Sequence, residues 1–406
     1  MTLVAYLSVL KNTDFTKLWV SQLCSQLTNF LLSYAVLIKV FRLTESSLAV
    51  SLIILSFGAA TLVFGAFAGV YADRFDRKWI MTIVNFAQAA VLGLFLLSEN
   101  NFWALAGVTF LYSSLNQFYL PSEAPSIPNL VKKEQVLIAN SYFSFTANGS
   151  MVLGFAAAGP IVSYFGFQAI FFIGMVLLGI AGIATLSLPA LKPNLPKFEF
   201  LENVWHEFKG GVRYFWNDQF LHFPLIALIL GQLINGILIM LAPVFVDRWL
   251  GLNLESGSFL VIAPLGLGIL LGALSLGFQN RFFSRHRLVA IGFAGMGLMI
   301  ASFGLLNDLP FRFAYYFAAG LLAGFFNAHI FAPAHALLQT YANETARGRI
   351  YGALYVFLQA SATLPTVLVG AWADAVSLKV IFLSLGLLML LFAYGFYRTS
   401  LTKSSA

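Results

Sequence analysis

Charge is scarce in this chain. Of its 406 residues only 10% are Asp, Glu, Lys or Arg, against 60% hydrophobic and 16% aromatic. A soluble fold of this length needs a polar surface that so few charges cannot supply, so lipid is the expected solvent. Cysteine is scarcer still. Cys24 stands alone, so no disulfide can form within the chain and the redox compartment cannot be read from thiols. Acids are outnumbered, 16 to 23, for a net charge of +7. Such a balance can mark a nucleic-acid binder, but here the basic residues fall in short gaps between apolar runs rather than along one face of a domain, which excludes that class. A P-loop, a His-Glu-x-x-His helix and a nucleophile elbow are also missing. The chain is expected to be no enzyme, to use no ATP, and to need neither cofactor nor metal.

What is present is a series of apolar runs of about twenty residues, the length a helix needs to cross a bilayer. Runs at 17–41, 48–72, 79–98, 102–124, 138–163, 167–189, 222–247, 256–278, 288–306, 312–338, 350–373 and 378–398 predict twelve transmembrane helices. The first run is too long for the core of a secretory signal and is expected to be a span rather than a cleaved leader. The ten-residue alternation of a β-barrel is not seen. With these spans, 18 of the 23 Lys and Arg fall on the side that holds both termini, and five (Lys39, Arg42, Arg248, Arg312 and Lys379) fall on the other. The positive-inside bias therefore predicts cytoplasmic termini and residence in the plasma (inner) membrane.

The longest gap divides the chain into an N-terminal six-helix bundle at 1–189, a cytoplasmic linker at 190–221 and a C-terminal six-helix bundle at 222–406. The linker reads "KPNLPKFEFLENVWHEFKGGVRYF", an interfacial amphipathic pattern. The halves echo each other. "FYLPSE" (Phe118–Glu123) matches "IFAPAH" (Ile330–His335), "GPIVSYFG" (Gly159–Gly166) matches "LPTVLVGAWAD" (Leu364–Asp374), and "DRFDRK" (Asp73–Lys78) matches "NRFFSR" (Asn280–Arg285). Similar halves of six spans each are the mark of a duplicated transporter.

The densest charge lies in "GVYADRFDRKWI", Gly69 to Ile80, where five of twelve residues are ionic. Gly69, Asp73, Arg74, Arg77 and Lys78 resemble the signature G-x-x-x-D-R-x-G-R-[RK] of the major facilitator superfamily, with Asp76 at the usual inner glycine. The resemblance implies an all-α membrane protein of two pseudo-symmetric six-helix bundles that works by alternating access, with this motif as a cytoplasmic latch. A carboxylate gains from a nearby helix N-terminus, so Asp73 is expected to face the start of helix 11 near Gly348–Tyr351. Arg77 is expected to pair with Glu123.

Polar residues inside the runs fall on helical spacings. Helix 1 carries Gln22, Gln26, Asn29 and Ser33, and helix 4 carries Tyr112, Asn116, Tyr119 and Glu123. Helix 5 has Asn140, Ser144 and Asn148, helix 7 has Gln232 and Asn235, and helix 11 has Tyr355, Gln359 and Thr363. Helix 10 has Asn327 and His335, with His329 off that stripe. The resemblance implies that helices 1, 4, 7 and 10 line a central cavity with helices 2, 5, 8 and 11. Gln22, Gln26, Asn29, Tyr112, Asn116, Tyr119, Asn148, Gln232, Asn235, Asn327 and Gln359 are then the candidate substrate contacts. Gluing helix to helix is the alternative role for each of them. Helix 8, which has no such stripe, and helix 3, with Asn85 and Gln88, fit the plan less neatly.

The small-residue run Gly149–Pro160, with Gly154, Gly159 and Pro160, is a helix-packing motif, and Pro365 stands in the second half. The run is similar to the antiporter motif of exporters. Further resemblance to the macrolide and enterobactin efflux branch rests on "LKNTDFTKLWVSQLCSQL", "LPSEAPSIPNLVKKEQVLIANS" (Leu120–Ser141) and "RGRIYGALYVFLQASATLP" (Arg347–Pro365). No Lys or Arg falls mid-span, which disfavours dicarboxylates and sugar phosphates and points to a small, amphipathic substrate. Export in exchange for protons is expected, with Glu123, His335 and His329 as candidate proton carriers and Asp247 and Asp374, at the outer ends of helices 7 and 11, as further candidates. Lysophospholipid carriers of the same fold are similar too. A non-transporting membrane sensor is the third reading, disfavoured because no loop is long enough for a signalling domain. The working unit is expected to be a monomer.

Overall fold

The computed structural model describes residues 8–98, 100–192, 209–210, 212–215, 218–279, 281–305, 312–342 and 347–402. Most of the linker expected to be interfacial, 193–208, lies outside the described residues. Among the described residues there are twelve helices of at least twenty residues and no strand. They are α1 Thr13–Thr44, α2 Ser47–Arg74, α3 Arg77–Ser98, α4 Phe102–Glu123, α5 Val136–Phe165, α6 Phe167–Leu186, α7 Gln219–Val244, α8 Leu254–Gln279, α9 Arg285–Leu305, α10 Arg312–Tyr341, α11 Arg347–Ala375 and α12 Leu378–Thr402.

The helix ends follow from local chemistry. Asn12 starts α1 by accepting the N–H groups of Asp14 and Phe15 at 3.1 and 3.2 Å. Asn101 caps α4 through Ala104 at 3.1 Å, and Asp218 caps α7 through Phe220 at 2.9 Å. Glu45 ends α1 in the left-handed conformation, φ 52°, returning its N–H to Phe41 O. Gly166, φ 81°, divides α5 from α6.

Eleven of the described helices are long and apolar enough to cross a membrane. The exception is α4, which is as long as α3 but carries Tyr112, Ser113, Ser114, Asn116 and Gln117 in its second half. Several of these groups are turned to neighbouring helices, so the lower hydropathy of α4 reflects an interior face rather than a lack of membrane character.

The chain forms two compact units, 1–45 with 52–200, and 46–51 with 201–406; the first turn of α2 thus belongs to the second unit. In the first unit α1 packs on α4, α5 and α6, and α3 packs on α4 and α6. In the second, α7 packs on α10 and α11, α9 packs on α10 and α12, and α8 packs on α10. The pairs α1/α4, α1/α5, α3/α4 and α3/α6 therefore recur six helices later. The faint echo between the sequence halves is an echo of packing.

Between apolar helices in lipid, association rests on close contact, which small residues permit. Gly268 and Gly272 on α8 face Leu321, Phe325 and Ala328 of α10, and Gly324 on α10 faces Leu265 and Ile269 of α8. A Cβ on Gly268 would land on Leu321 O, and one on Gly324 would land on Leu265 O. In the predicted packing motif, a Cβ on Gly154 would lie 2.6 Å from Phe30 Cβ on α1. Gly159 is buried beside it, and Pro160 and Pro365 sit half-buried inside α5 and α11.

Candidate functional site

The charged loop between α2 and α3 is built from backbone groups as much as from ions. Asp76 Oδ1 accepts the Lys78 N–H at 3.1 Å, capping α3, and also the Leu191 N–H at 2.9 Å. The Arg77 N–H donates to Leu191 O at 3.3 Å. The peptide that leaves α6 is thus stitched to the motif. Asp76 is not among the residues with positive φ, so this position does not require the family's glycine, and the carboxylate adds two bonds that glycine cannot make.

Arg77 is buried, at 7% exposure. Its Nε donates to Ala72 O at 3.1 Å, Nη1 to Pro125 O at 3.4 Å and Nη2 to Asp73 Oδ1 at 3.4 Å. The expected pair with Glu123 is not formed. Ala72 O is one of the carbonyls left open at the end of a helix, and Asp73 stands one turn from Arg77, so nearer acceptors hold the guanidinium. Asp73 is half-exposed and Arg74 exposed; Lys78 Nζ lies 5.5 Å from the centre of the Trp79 ring, and Gly69 faces open space. Glu123, only 2% exposed, has Tyr119 as its polar neighbour, and its Oε1 has no partner.

The first unit holds four candidate cavity residues in three separate sets of hydrogen bonds between helices. Ser21 Oγ and Tyr119 OH are 2.8 Å apart, and Asn85 Nδ2 donates to Ser21 Oγ at 3.2 Å. Gln88 Nε2 donates to Tyr112 O at 3.3 Å and to Asn116 Oδ1 at 3.5 Å, and Gln22 Nε2 donates to Phe143 O at 3.1 Å. Tyr112, Tyr119 and Gln22 are closed in by these helices, while Gln26, Asn29 and Asn116 are half-buried. Asn148 is exposed and bonds Ser144 O on its own helix. Asn85 and Gln88, which fitted the cavity plan less neatly, each join one of these sets; two amides three residues apart in an apolar run were the signal.

In the second unit Asn327 Nδ2 donates to Asn235 Oδ1 at 2.7 Å, joining α10 to α7. His329 is buried, with Nδ1 2.8 Å from Phe325 O and Nε2 2.7 Å from Gln279 Oε1 on α8. A backbone carbonyl can only accept, so Nδ1 carries the hydrogen. Gln232, His335 and Gln359 are half-buried.

Asp374, a candidate titrating group in the sequence, has a capping role that the sequence did not reveal. It accepts the Ser46 hydroxyl at 2.7 Å and the N–H groups of Ser47 and Leu48 at 2.8 and 3.0 Å, and pairs with Arg248 at 3.4 Å. It therefore caps the first turn of α2. A signal existed: "GAWAD" at Gly370–Asp374 repeats the pattern of "GVYAD" at Gly69–Asp73.

Comparison with known proteins fits this architecture. The sequence profile of the Major Facilitator Superfamily matches residues 18–308. The chain belongs to the major facilitator superfamily. It is therefore an integral membrane protein of a transporter family, not of an enzyme family. Among relatives of this facilitator, the Uncharacterized MFS-type transporter YfiS of Bacillus subtilis is 26% identical over 388 residues, 91% of this chain and 89% of its own. The lysophospholipid transporter LplT of Yersinia pestis is 26% identical over 294 residues, 70% of this chain and 68% of its own. Among solved structures, the nucleoside transporter NupG matches with a TM-score of 0.74 at 16% identity, over 95% of this chain and 98% of its own. A bacterial homologue of the human lysosomal transporter Spinster matches at 0.72 and 13%, over 98% and 97%. These two likenesses establish the fold.

Proposed function

We propose that this facilitator is a secondary active transporter of the drug and siderophore exporter type, moving a small amphipathic molecule by alternating access in exchange for protons. It acts as a monomer in the plasma (inner) membrane, with both termini cytoplasmic. The observation that carries the reading is the chemistry of the interior. Among the described residues, the buried charged side chains are Arg77 and Glu123; the other buried polar groups are amides, hydroxyls and the His329 imidazole. Such an interior offers hydrogen bonds but no fixed charge to clamp an anion. Arg77 is engaged at the motif loop, so Glu123 is the carboxylate placed to change charge during a cycle, with His329 and His335 as the counterparts in the second unit. The motif residues Gly69, Asp73, Arg74, Arg77 and Lys78 serve as the cytoplasmic latch, with the Asp73 side chain half-exposed.

The test is a thermal-shift screen of drugs, siderophores and lysolipids, followed by transport in proteoliposomes. An imposed proton gradient should accelerate movement of the selected compound, and Glu123→Gln should abolish that acceleration. Transport indifferent to the gradient overturns proton exchange. Arg77→Ala should slow transport while leaving the thermal shift from substrate intact.

A lipid carrier is the second reading, favoured by the similarity to LplT. Movement of lysophospholipid between vesicles, with no drug transport, selects it.

A further inference from the structure

The stretch "NRFFSR" (Asn280–Arg285) stands in the second half where "DRFDRK" (Asp73–Lys78) stands in the first, but its chemistry differs. The first has Asp76, which holds the Leu191 N–H, and Arg77, which is buried. The second has Phe283 and Ser284 at those places. From Gln279 to Leu288 there are three arginines and no acid. This loop has lost the groups that tie its counterpart to protein, and it carries aromatic and cationic groups, which suit a lipid headgroup layer.

The turn from α8 to α9 holds these groups in place. Arg281 N–H donates to Phe278 O at 3.2 Å, and the N–H groups of Phe282 and Phe283 both donate to Gln279 O at 3.0 Å. Phe282 is 65% exposed, and its ring lies 5.0 Å from that of Phe278. Behind them Leu267, Leu270, Leu271, Leu274 and Phe278 are all exposed, at spacings that put them on one face of α8. From Leu267 to Phe278 a helix rises about 16 Å, close to the hydrocarbon depth of one leaflet, about 15 Å. Arg285 is engaged on α10, with Nη1 donating to Ala336 O at 3.3 Å and to Thr340 Oγ1 at 2.9 Å. The guanidinium groups of Arg281, exposed, and Arg287, half-buried, have no hydrogen-bond or ionic partner among the described residues. Two uncompensated cations therefore stand at the end of an apolar track as long as an acyl chain's share of the bilayer.

We propose that this face of α8 and the turn that follows it bind one anionic phospholipid. Its acyl chains lie along the leucine track, Phe282 packs at the level of the glycerol, and Arg281 and Arg287 take the phosphate, a group that guanidinium matches with paired hydrogen bonds. A zwitterionic lipid brings its own ammonium and leaves the arginines in excess, so the charge balance selects an anionic headgroup. The lipid is resident on the outside of the second unit and is not cargo. That it belongs to the cytoplasmic leaflet rests on the orientation proposed above; its binding does not.

Native mass spectrometry of the full chain, released from mixed micelles, tests the site. Phosphatidylglycerol and phosphatidylcholine with the same acyl chains compete at equal concentration for wild type, the double variant Arg281→Gln/Arg287→Gln and, as a control elsewhere on the surface, Lys11→Gln. Wild type and Lys11→Gln should retain one phosphatidylglycerol in preference to phosphatidylcholine. The preference should fall on the order of fivefold for each arginine replaced. Equal retention of the two lipids by wild type overturns the proposal, as does a preference that survives in the double variant. Should the double variant fail to fold, Arg281→Gln decides: a reduced preference supports the site and an unchanged one overturns it. Displacement of the lipid by inorganic phosphate, beyond that by NaCl at the same ionic strength, assigns the arginines to a soluble anion and overturns the lipid. A wild-type dimer that becomes a monomer in Leu274→Ser gives the face to a second copy of the chain and also overturns it. A preference for phosphatidylglycerol in a protein that moves nothing in proteoliposomes keeps the lipid site and removes the transporter reading.

Discussion

Asp76 Oδ1 lies 2.9 Å from the backbone nitrogen of Leu191, a residue 115 positions away. The same oxygen caps α3, so one carboxylate starts a helix and holds the peptide that leaves α6. Replacing Asp76 by Ala should cost about 1 kcal/mol for the lost cap, and more for the Leu191 N–H left without its acceptor. Asp76→Asn keeps an acceptor oxygen and should lose less than half as much. Asp76→Gly restores the family's residue, yet is expected to be less stable than wild type, because glycine supplies no acceptor. Unfolding midpoints of the three variants in one detergent check the order. A glycine variant more stable than wild type would refute it.

The contact of α8 with α10 makes a sharper contrast. A Cβ on Gly324 would meet Leu265 C at 2.8 Å and Ile269 N at 3.0 Å, both backbone atoms that cannot move alone. A Cβ on Gly320 would meet the Pro264 ring at 3.5 Å and Val261 O at 3.8 Å, both ordinary van der Waals distances. Gly324→Ala should therefore cost on the order of 1–3 kcal/mol or prevent folding, whereas Gly320→Ala should fall within about 0.5 kcal/mol of wild type. Size-exclusion profiles and unfolding midpoints of the pair decide this, since the substitution is the same and only the neighbour differs.

The twelve helices could be read from the apolar runs because bilayer thickness fixes the length a span must have; Asn101 caps α4 at its predicted start, whereas α1 starts at Thr13 behind the Asn12 cap, four residues before the predicted run. The motif and the polar stripes were also visible, because charge and amides are rare against so apolar a background. Partners were not visible. Arg77 turns to Ala72 O and Pro125 O, and backbone carbonyls carry no mark in a sequence, so an ion pair with Glu123 looked like the natural choice. Asp374 could be noticed as a charge, but its bonds are to backbone groups more than 300 positions away. Tyr112 and Tyr119 carry the right spacing for a cavity wall, yet spacing gives only a face of a helix. Whether that face meets substrate or a neighbouring helix depends on α3, which fitted the sequence plan less neatly.

Asp374 makes a prediction of its own. It accepts two N–H groups from the first turn of α2 and a hydroxyl from Ser46. Asp374→Ala should destabilise by about 1–2 kcal/mol, as for loss of a helix cap. Amide hydrogen exchange should rise in the peptide spanning 46–51 and stay unchanged at Asn12–Phe15, where another residue caps. Asp374→Asn retains an acceptor and should preserve protection at 46–51 while losing the pair with Arg248. Equal exchange in the Ala and Asn variants would show that charge, not hydrogen-bond acceptance, holds the turn.

The Asn327–Asn235 bond separates helix glue from substrate contact. Asn327 is buried and Asn235 half-buried, so Asn327 is placed to orient Asn235, whose remaining hydrogen-bonding capacity can face a substrate. Asn235→Ala and Asn327→Ala should be coupled by about 0.6 kcal/mol in unfolding, the average for interhelical polar pairs in membranes. If Asn327 acts only through Asn235, both single variants raise KM for the transported compound, and the double variant is no worse than Asn235→Ala alone. If both amides touch substrate, the two effects on KM multiply. If neither does, KM stays within about twofold while the coupling in stability remains, and the pair is glue. The 2.7 Å bond joins both residues so directly that the first of these outcomes is expected.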